Sequence, residues 1–221
     1  INRLKEIFKY GGYAILSLFS GLIVQKIDII MLGREEGLVN VGVYSIAFYI
    51  GIVIEVPMRN ISDITFPILT KAFTENDEVE IEKIYKESSL NQFIIGGFLF
   101  TVIWGVIDHI FKMMPEGDIY SLGKYVVFFI GISKVFNMLM GSNREILQAS
   151  KYYQLNLYVN IFLGILTIAF NVWLIPIYSI NGAALASLCA IFIVNLISFV
   201  LVKKYLNIQP FTLKTLIVLC T

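Results

Sequence analysis

The residues of this 221-residue chain that could do chemistry are the few ionisable groups interrupting long apolar runs. Glu55, Arg59 and Asp63 are spaced i, i+4, i+8, which puts them on one stripe of a helix with Arg59 in reach of either acid. Counted from Asn40, Glu55 lies about 22 Å into its run and Arg59 about 28 Å. Charge is costly at such depth in a membrane, and by default it marks ion pathways, coupling sites or contacts to charged ligands. Pro57 stands between the two and frees a backbone carbonyl that a neighbouring group or a hydrated cavity must satisfy. Two readings stand. In one, the stripe lines a cavity, with Glu55 and Asp63 as ion-coupling acids and Arg59 meeting an anionic headgroup. In the other, it is a structural salt bridge with Arg59 snorkelling to the interface.

Lys26 and Asp28 are two residues apart, a helical rotation of about 200°, so they cannot both face one cavity. Turned inward, Lys26 would offer a point charge to a phosphate; turned outward, it would snorkel. Asp28 is a third ion-coupling candidate. Lys134 lies about 20 Å along its run with Asn137 one turn further on, and the two are candidates for binding substrate. Asp108 and His109 fall at the end of a run, where interfacial solvation suits a structural role. Asn156, Asn160, Asn171 and Asn195 can bond across helices or face a polar lumen. Gly182 with Ala186 and Ala183 with Ser187 read as packing surfaces, because small residues four apart let helices approach closely.

Other chemistries lack their residues. There is no glycine-rich phosphate loop with Lys-Ser/Thr, so nucleotide hydrolysis by a P-loop is not expected. One histidine, and two cysteines (Cys189 and Cys220) inside apolar runs, do not make a zinc site of ordinary spacing. No nucleophile, base and orienting group can be assembled from motifs, so neither an enzyme nor a cofactor is expected. A net charge of +1 without a basic stripe leaves no case for nucleic acid.

The elements that must position these groups follow from composition. Apolar residues make up 57% of the chain and charged residues 15%, the pattern of a polytopic membrane protein. Runs near the 20-residue length of a spanning helix occur at 10–31, 41–57, 90–111, 121–140, 155–175 and 181–202, and a seventh begins at Phe211. They lack the alternation of barrel strands, so the expected fold class is all-α. Eleven basic residues (Arg3, Lys5, Lys9, Lys71, Lys83, Lys86, Arg144, Lys151, Lys203, Lys204, Lys214) fall on one side of these spans. Three (Arg34, Lys112, Lys124) fall on the other, which makes the first side cytoplasmic. Residues 74–89 alternate acids with Val79, Ile81, Ile84 and Tyr85 and read as an amphipathic helix on the cytoplasmic surface. The chain starts at Ile1 and stops inside an apolar run, as a piece of a longer protein would.

Several strings occur in order along these spans: Asp28-Ile-Ile-Met-Leu-Gly33, Val41-Gly-Val-Tyr-Ser-Ile-Ala47, Phe66-Pro67, Asn143-Arg-Glu-Ile-Leu-Gln148 with Ser150-Lys-Tyr-Tyr153, and Leu174-Ile-Pro-Ile-Tyr178 leading into Asn181-Gly-Ala-Ala-Leu-Ala186. Together they resemble the polysaccharide (O-antigen type) flippases of the multidrug/oligosaccharidyl-lipid/polysaccharide exporter superfamily, over most of the C-terminal lobe. The resemblance implies one lobe of a two-lobe MATE-like transporter in a bacterial inner membrane. On it, residues 1–202 are the six-helix C-terminal lobe, 203–221 open a further helix, and an N-terminal lobe is missing. It also implies a lipid-linked oligosaccharide as substrate, whose pyrophosphate would meet cations in the cavity; by charge and depth these are Lys26, Arg59 and Lys134. The rival reading is a cation-coupled drug antiporter of the same superfamily, working through Glu55 or Asp63. A truncated, non-transporting fragment is a third. A membrane glycan polymerase would need a large outer loop, and the outer loops here are short.

Overall fold

The computed structural model describes residues 2–212 and Thr215, with side chains at 11–13, 15 and 16, from Lys26 to Thr212, and at Thr215. Every element among them is helical: α1 (Asn2–Ile52), a 3-10 turn (Val53–Glu55), α2 (Val56–Glu75), α3 (Glu78–Met113), α4 (Gly117–Tyr120), a second 3-10 turn (Ser121–Gly123), α5 (Lys124–Leu139), α6 (Asn143–Ala149) and α7 (Tyr153–Leu206). Among the described residues, four stretches are long and apolar enough to cross a membrane: Lys26–Glu75, Glu78–Met113, Gly117–Leu139 and Tyr153–Leu206. The first and last exceed a bilayer's need of about 20 residues more than twofold, and each is broken inside.

Both breaks are backbone reversals. Gly37 takes φ 82° and ψ 174°, a conformation essentially confined to glycine, and divides α1 into two legs. In α7 the break is at Ser179, with φ 52° and ψ −130°, three residues after Pro176. A side chain at Gly182 would run into the Leu174 carbonyl, so the returning leg can pack this closely only through a glycine. The six apolar runs read from the sequence thus correspond to the two legs of α1, to α3, to α5 with the turn before it, and to the two legs of α7. The seventh, from Phe211, lies almost wholly outside the described residues.

Pro57 acts as its position foretells. Sitting in the first turn of α2, it lacks the N–H an uninterrupted helix would need, and the chain tightens through the Val53–Glu55 turn, where Val56 N–H bonds the Val53 carbonyl. Residues 74–89 are divided: α2 ends at a left-handed Asn76, Asp77 caps the next helix by accepting from Glu80 N–H at 3.0 Å, and α3 then runs unbroken into the span. The apolar face of this stretch packs on protein. Ile81 and Tyr85 are buried with Leu69, Ile146, Leu147 and Val202 in one core, while Val79 stays exposed.

A second core, nearer the other end, joins Leu32, Tyr44 and Ala47 of α1 to Phe111 of α3, Ile130 of α5 and Ile175 of α7. Around it α1 lies along α7, and α5 fills the angle between them and α3. Gly51 and Gly131 lie where a Cβ would press on Ile130 and Phe100, so these close crossings depend on small residues, as expected where helix association has no hydrophobic driving force.

Candidate functional site

Asp28 is 3% exposed and is enclosed by residues from both legs of α1 and both legs of α7. Its carboxylate accepts from Tyr44 Oη at 3.0 Å, Asn171 Nδ2 at 2.7 Å and Ser187 Oγ at 2.5 Å. The local pattern explains the orientation. Asp28 and the buried Leu32 are one turn apart on the inward stripe of α1, and Asn171 shares its stripe of α7 with Thr167 and Ile175, both buried. Among the described residues the carboxylate has no cationic partner within salt-bridge distance. Three charge-assisted hydrogen bonds are what hold an acid at this depth. The Asn171 amide oxygen is also buried and meets no hydrogen-bond donor.

Beside this cage lies a cavity of about 130 Å³, with Asp28 in its wall. Glu55 and Lys134 face it from the Val53–Glu55 turn and α5, paired at 2.6 Å with side chains 14% and 12% exposed respectively. The charged groups among its described lining residues are Asp28, Glu55, Lys134 and Arg144, so formal charge balances there. The rest of the described polar lining is uncharged, including Ser133, Asn137, Asn160, Thr167 and Asn195, and Phe48 is the one aromatic residue among the described lining residues. Such a surface offers many hydrogen-bonding groups and little to stack on.

The sequence-predicted residues divide. Asp28, Glu55, Lys134 and Asn137 come together at the cavity; Asn137 Nδ2 also reaches Met58 Sδ at 3.5 Å. Lys26 does not join them. It is exposed, with its ammonium 5.9 Å from the centre of the Tyr49 ring, on the opposite face from Asp28 as the helical rotation requires. Arg59 and Asp63 are exposed on α2, and Arg59 makes no salt bridge to Glu55 or Asp63. Glu55 stands in the 3-10 turn before α2 and pairs with Lys134. Asp108 binds Lys124 at 2.7 Å near the helix ends.

Three participants were not singled out from the sequence as site residues. Tyr44 lies in an apolar run, where a buried hydroxyl needs a partner, and that need was the available signal. Ser187 reads as a packing residue from its spacing and does lie among buried alanines, but its hydroxyl also serves Asp28. Arg144 reads as a loop cation; it is exposed at the start of α6 and lines the cavity.

Among curated proteins, none matches the chain. Solved structures do. A proline-to-alanine variant of a MATE protein superposes with a TM-score of 0.75 at 18% identity, covering 92% of this chain and 46% of that one. A MOP superfamily transporter from Pyrococcus furiosus, described as having a binding pocket of reversed polarity that suggests a different function, gives 0.64 at 17% identity, with 93% and 47% covered. MATE in complex with MaL6 gives 0.61 at 18%, with 93% and 48% covered. The fold is therefore that of a MATE-like lobe, and the chain spans about half the length of these structures. The MatE family model matches residues 14–173, most of the chain, including both legs of α1 and the leg of α7 that carries Asn171, and the chain belongs to the MatE family.

Proposed function

We propose that this chain is the C-terminal lobe of a flippase that moves lipid-linked oligosaccharide across a bacterial inner membrane by alternating access. The observation that carries this reading is the composition of the described cavity wall: amide and hydroxyl side chains from α5 and α7, two cations balanced by two acids, and Phe48 as the one aromatic residue. Polyhydroxylated glycans are met by such groups, whereas a flat apolar cation would call for aromatic walls. Lys134 and Arg144 are the cations available to a phosphate. For the Pyrococcus furiosus relative, pocket polarity is tied to a difference in function, which makes polarity the property to test here.

In this reading Asp28 is the ion-coupling residue. Its carboxylate is desolvated and held by neutral donors from three other helical legs, so gaining a proton or cation changes what those donors hold together. Both lobes are needed to enclose the glycan, and the cavity seen here is one wall of that space.

The test is made on cells lacking the intact gene. Accumulation of lipid-linked oligosaccharide on the cytoplasmic leaflet, with loss of surface polysaccharide and unchanged drug sensitivity, is the expected result. Unaltered lipid-linked oligosaccharide together with hypersensitivity to cationic compounds would overturn it. That outcome would favour the second reading, a cation-coupled drug antiporter, which the uncompensated acid at Asp28 supports.

A further inference from the structure

A larger cavity, about 480 Å³, shares no residue with the one beside Asp28. It lies where α2 ends, α3 begins, α6 turns into α7, and α7 ends. Its size is within the range of small-molecule sites. Phe73, Ile81, Leu206 and Ile208 make an apolar floor, and Glu78 and Lys151 stand in the wall.

The residues around it have the composition of a membrane boundary. Lys203 and Lys204 occupy the last turn of α7, and the Tyr152 and Tyr205 rings lie 4.6 Å apart beside the opening. Paired tyrosines and lysines just beyond an apolar span are the usual furniture of the headgroup layer. This is also the lysine-rich side of the chain.

The two charges in the wall are unspent. Glu78, at the start of α3, and Lys151, in the turn between α6 and α7, are exposed and pair neither with each other nor with another charged group among the described residues. Lys151 only overlies the Tyr152 ring, at 5.2 Å. A carboxylate and an ammonium that share a cavity without pairing suit a ligand bearing both signs, and the apolar floor suits one with a hydrocarbon chain. We infer that this cavity binds the headgroup of a zwitterionic phospholipid with a primary amine, its phosphate at Lys151 and its ammonium at Glu78. A primary ammonium can donate hydrogen bonds to the Glu78 carboxylate, which a quaternary one cannot. An anionic lipid would gain Lys151 but meet repulsion from Glu78. The inference does not depend on what the other cavity transports.

The experiment titrates the purified full-length protein with dioleoyl phosphatidylethanolamine, phosphatidylcholine and phosphatidylglycerol, reading bound lipid by native mass spectrometry. Phosphatidylethanolamine is expected to bind most tightly. Lys151→Gln should weaken it about five-fold, and Glu78→Gln should erase its advantage over phosphatidylglycerol, the scale of one exposed ion pair. Lys112→Gln, at the other end of α3, should change nothing. Equal binding of all three lipids, or unchanged phosphatidylethanolamine binding in both pocket variants, would overturn the inference. So would a phosphatidylglycerol preference that Glu78→Gln leaves intact, since that would make the pocket a plain anion site.

Discussion

The side-chain amide of Asn171 donates to the Asp28 carboxylate at 2.7 Å, a bond between residues 143 positions apart. It ties the first leg of α1 to the first leg of α7. Ser187 and Tyr44 tie the same carboxylate to the second leg of each helix. One acid therefore links four membrane-spanning segments, and its state of charge bears on all of them.

Asp28→Asn keeps the shape and removes the charge. Reconstituted transport by the full-length protein is expected to fall at least about ten-fold, equivalent to about 1.4 kcal/mol, while folded yield stays close to that of the parent. A variant with normal coupled transport would show that Asp28 is structural. Asn171→Ala should instead act on stability, lowering it by about 1.5–3 kcal/mol through the loss of a charge-assisted hydrogen bond, as read by thermal unfolding.

Glu55 and Lys134 supply a thermodynamic cycle. Either Glu55→Gln or Lys134→Met alone leaves a mostly buried charge without its partner and should cost about 3–5 kcal/mol. The double variant should lose much less than the sum of the two. Unfolding measurements on all four proteins check this, and additive losses would mean that the pair does not interact. For function, Glu55→Gln should abolish transport under the antiporter reading and leave glycan export in place under the flippase reading.

Lys26 and Arg59 are exposed and are not among the described residues lining the cavity that holds Lys134. Lys26→Gln and Arg59→Gln should therefore leave substrate affinity within about two-fold of the parent, the scale of an exposed charge, whereas Lys134→Gln should weaken it more. Binding of a phosphate-bearing amphiphile to detergent-purified protein separates the three.

Gly141 has φ +58°, and a Cβ there would come within 2.7 Å of Ser89 N in α3. Gly141→Val combines strain at positive φ with a clash of the new side chain against the α3 backbone, and it should reduce the yield of folded protein strongly, at a cost above about 3 kcal/mol. Size-exclusion profiles of the expressed variant give the answer; Gly97→Ala, at a glycine with open space around it, is the matched control.

Tyr85 donates to Asn143 Oδ1 at 2.7 Å inside the core shared by α2, α3, α6 and α7. Tyr85→Phe should cost about 1–3 kcal/mol, because it leaves a buried acceptor unmet in a place where water is scarce. A destabilisation below that range would indicate that another donor takes over.

Much of the architecture is readable from the chain alone. Apolar runs near the length of a bilayer mark the helices, since an unpaired backbone is costly in hydrocarbon. The proline at position 57 announces the tight turn before α2, and the rotation between Lys26 and Asp28 announces that they part. The site is harder to read. Periodicity shows which residues share a face of one helix, but not which faces of different helices meet. Glu55 and Arg59 have the spacing of a pair, yet the salt bridge of Glu55 is made to Lys134 of α5.

The sequence by itself determined the class: membrane helices, the spacing of the spans, and a short roster of charged residues at depth. These are local properties, set by hydrophobic length and by the cost of burying charge. Only the tertiary structure decided which acid is enclosed and by what. Asp28 meets Tyr44, Asn171 and Ser187 because backbone reversals at Gly37 and Ser179 fold α1 and α7 back on themselves, and the partner of Glu55 comes from α5. Those contacts lie between 16 and 159 positions apart in the chain. Separations of that size leave no periodic trace, because they depend on how whole helices pack.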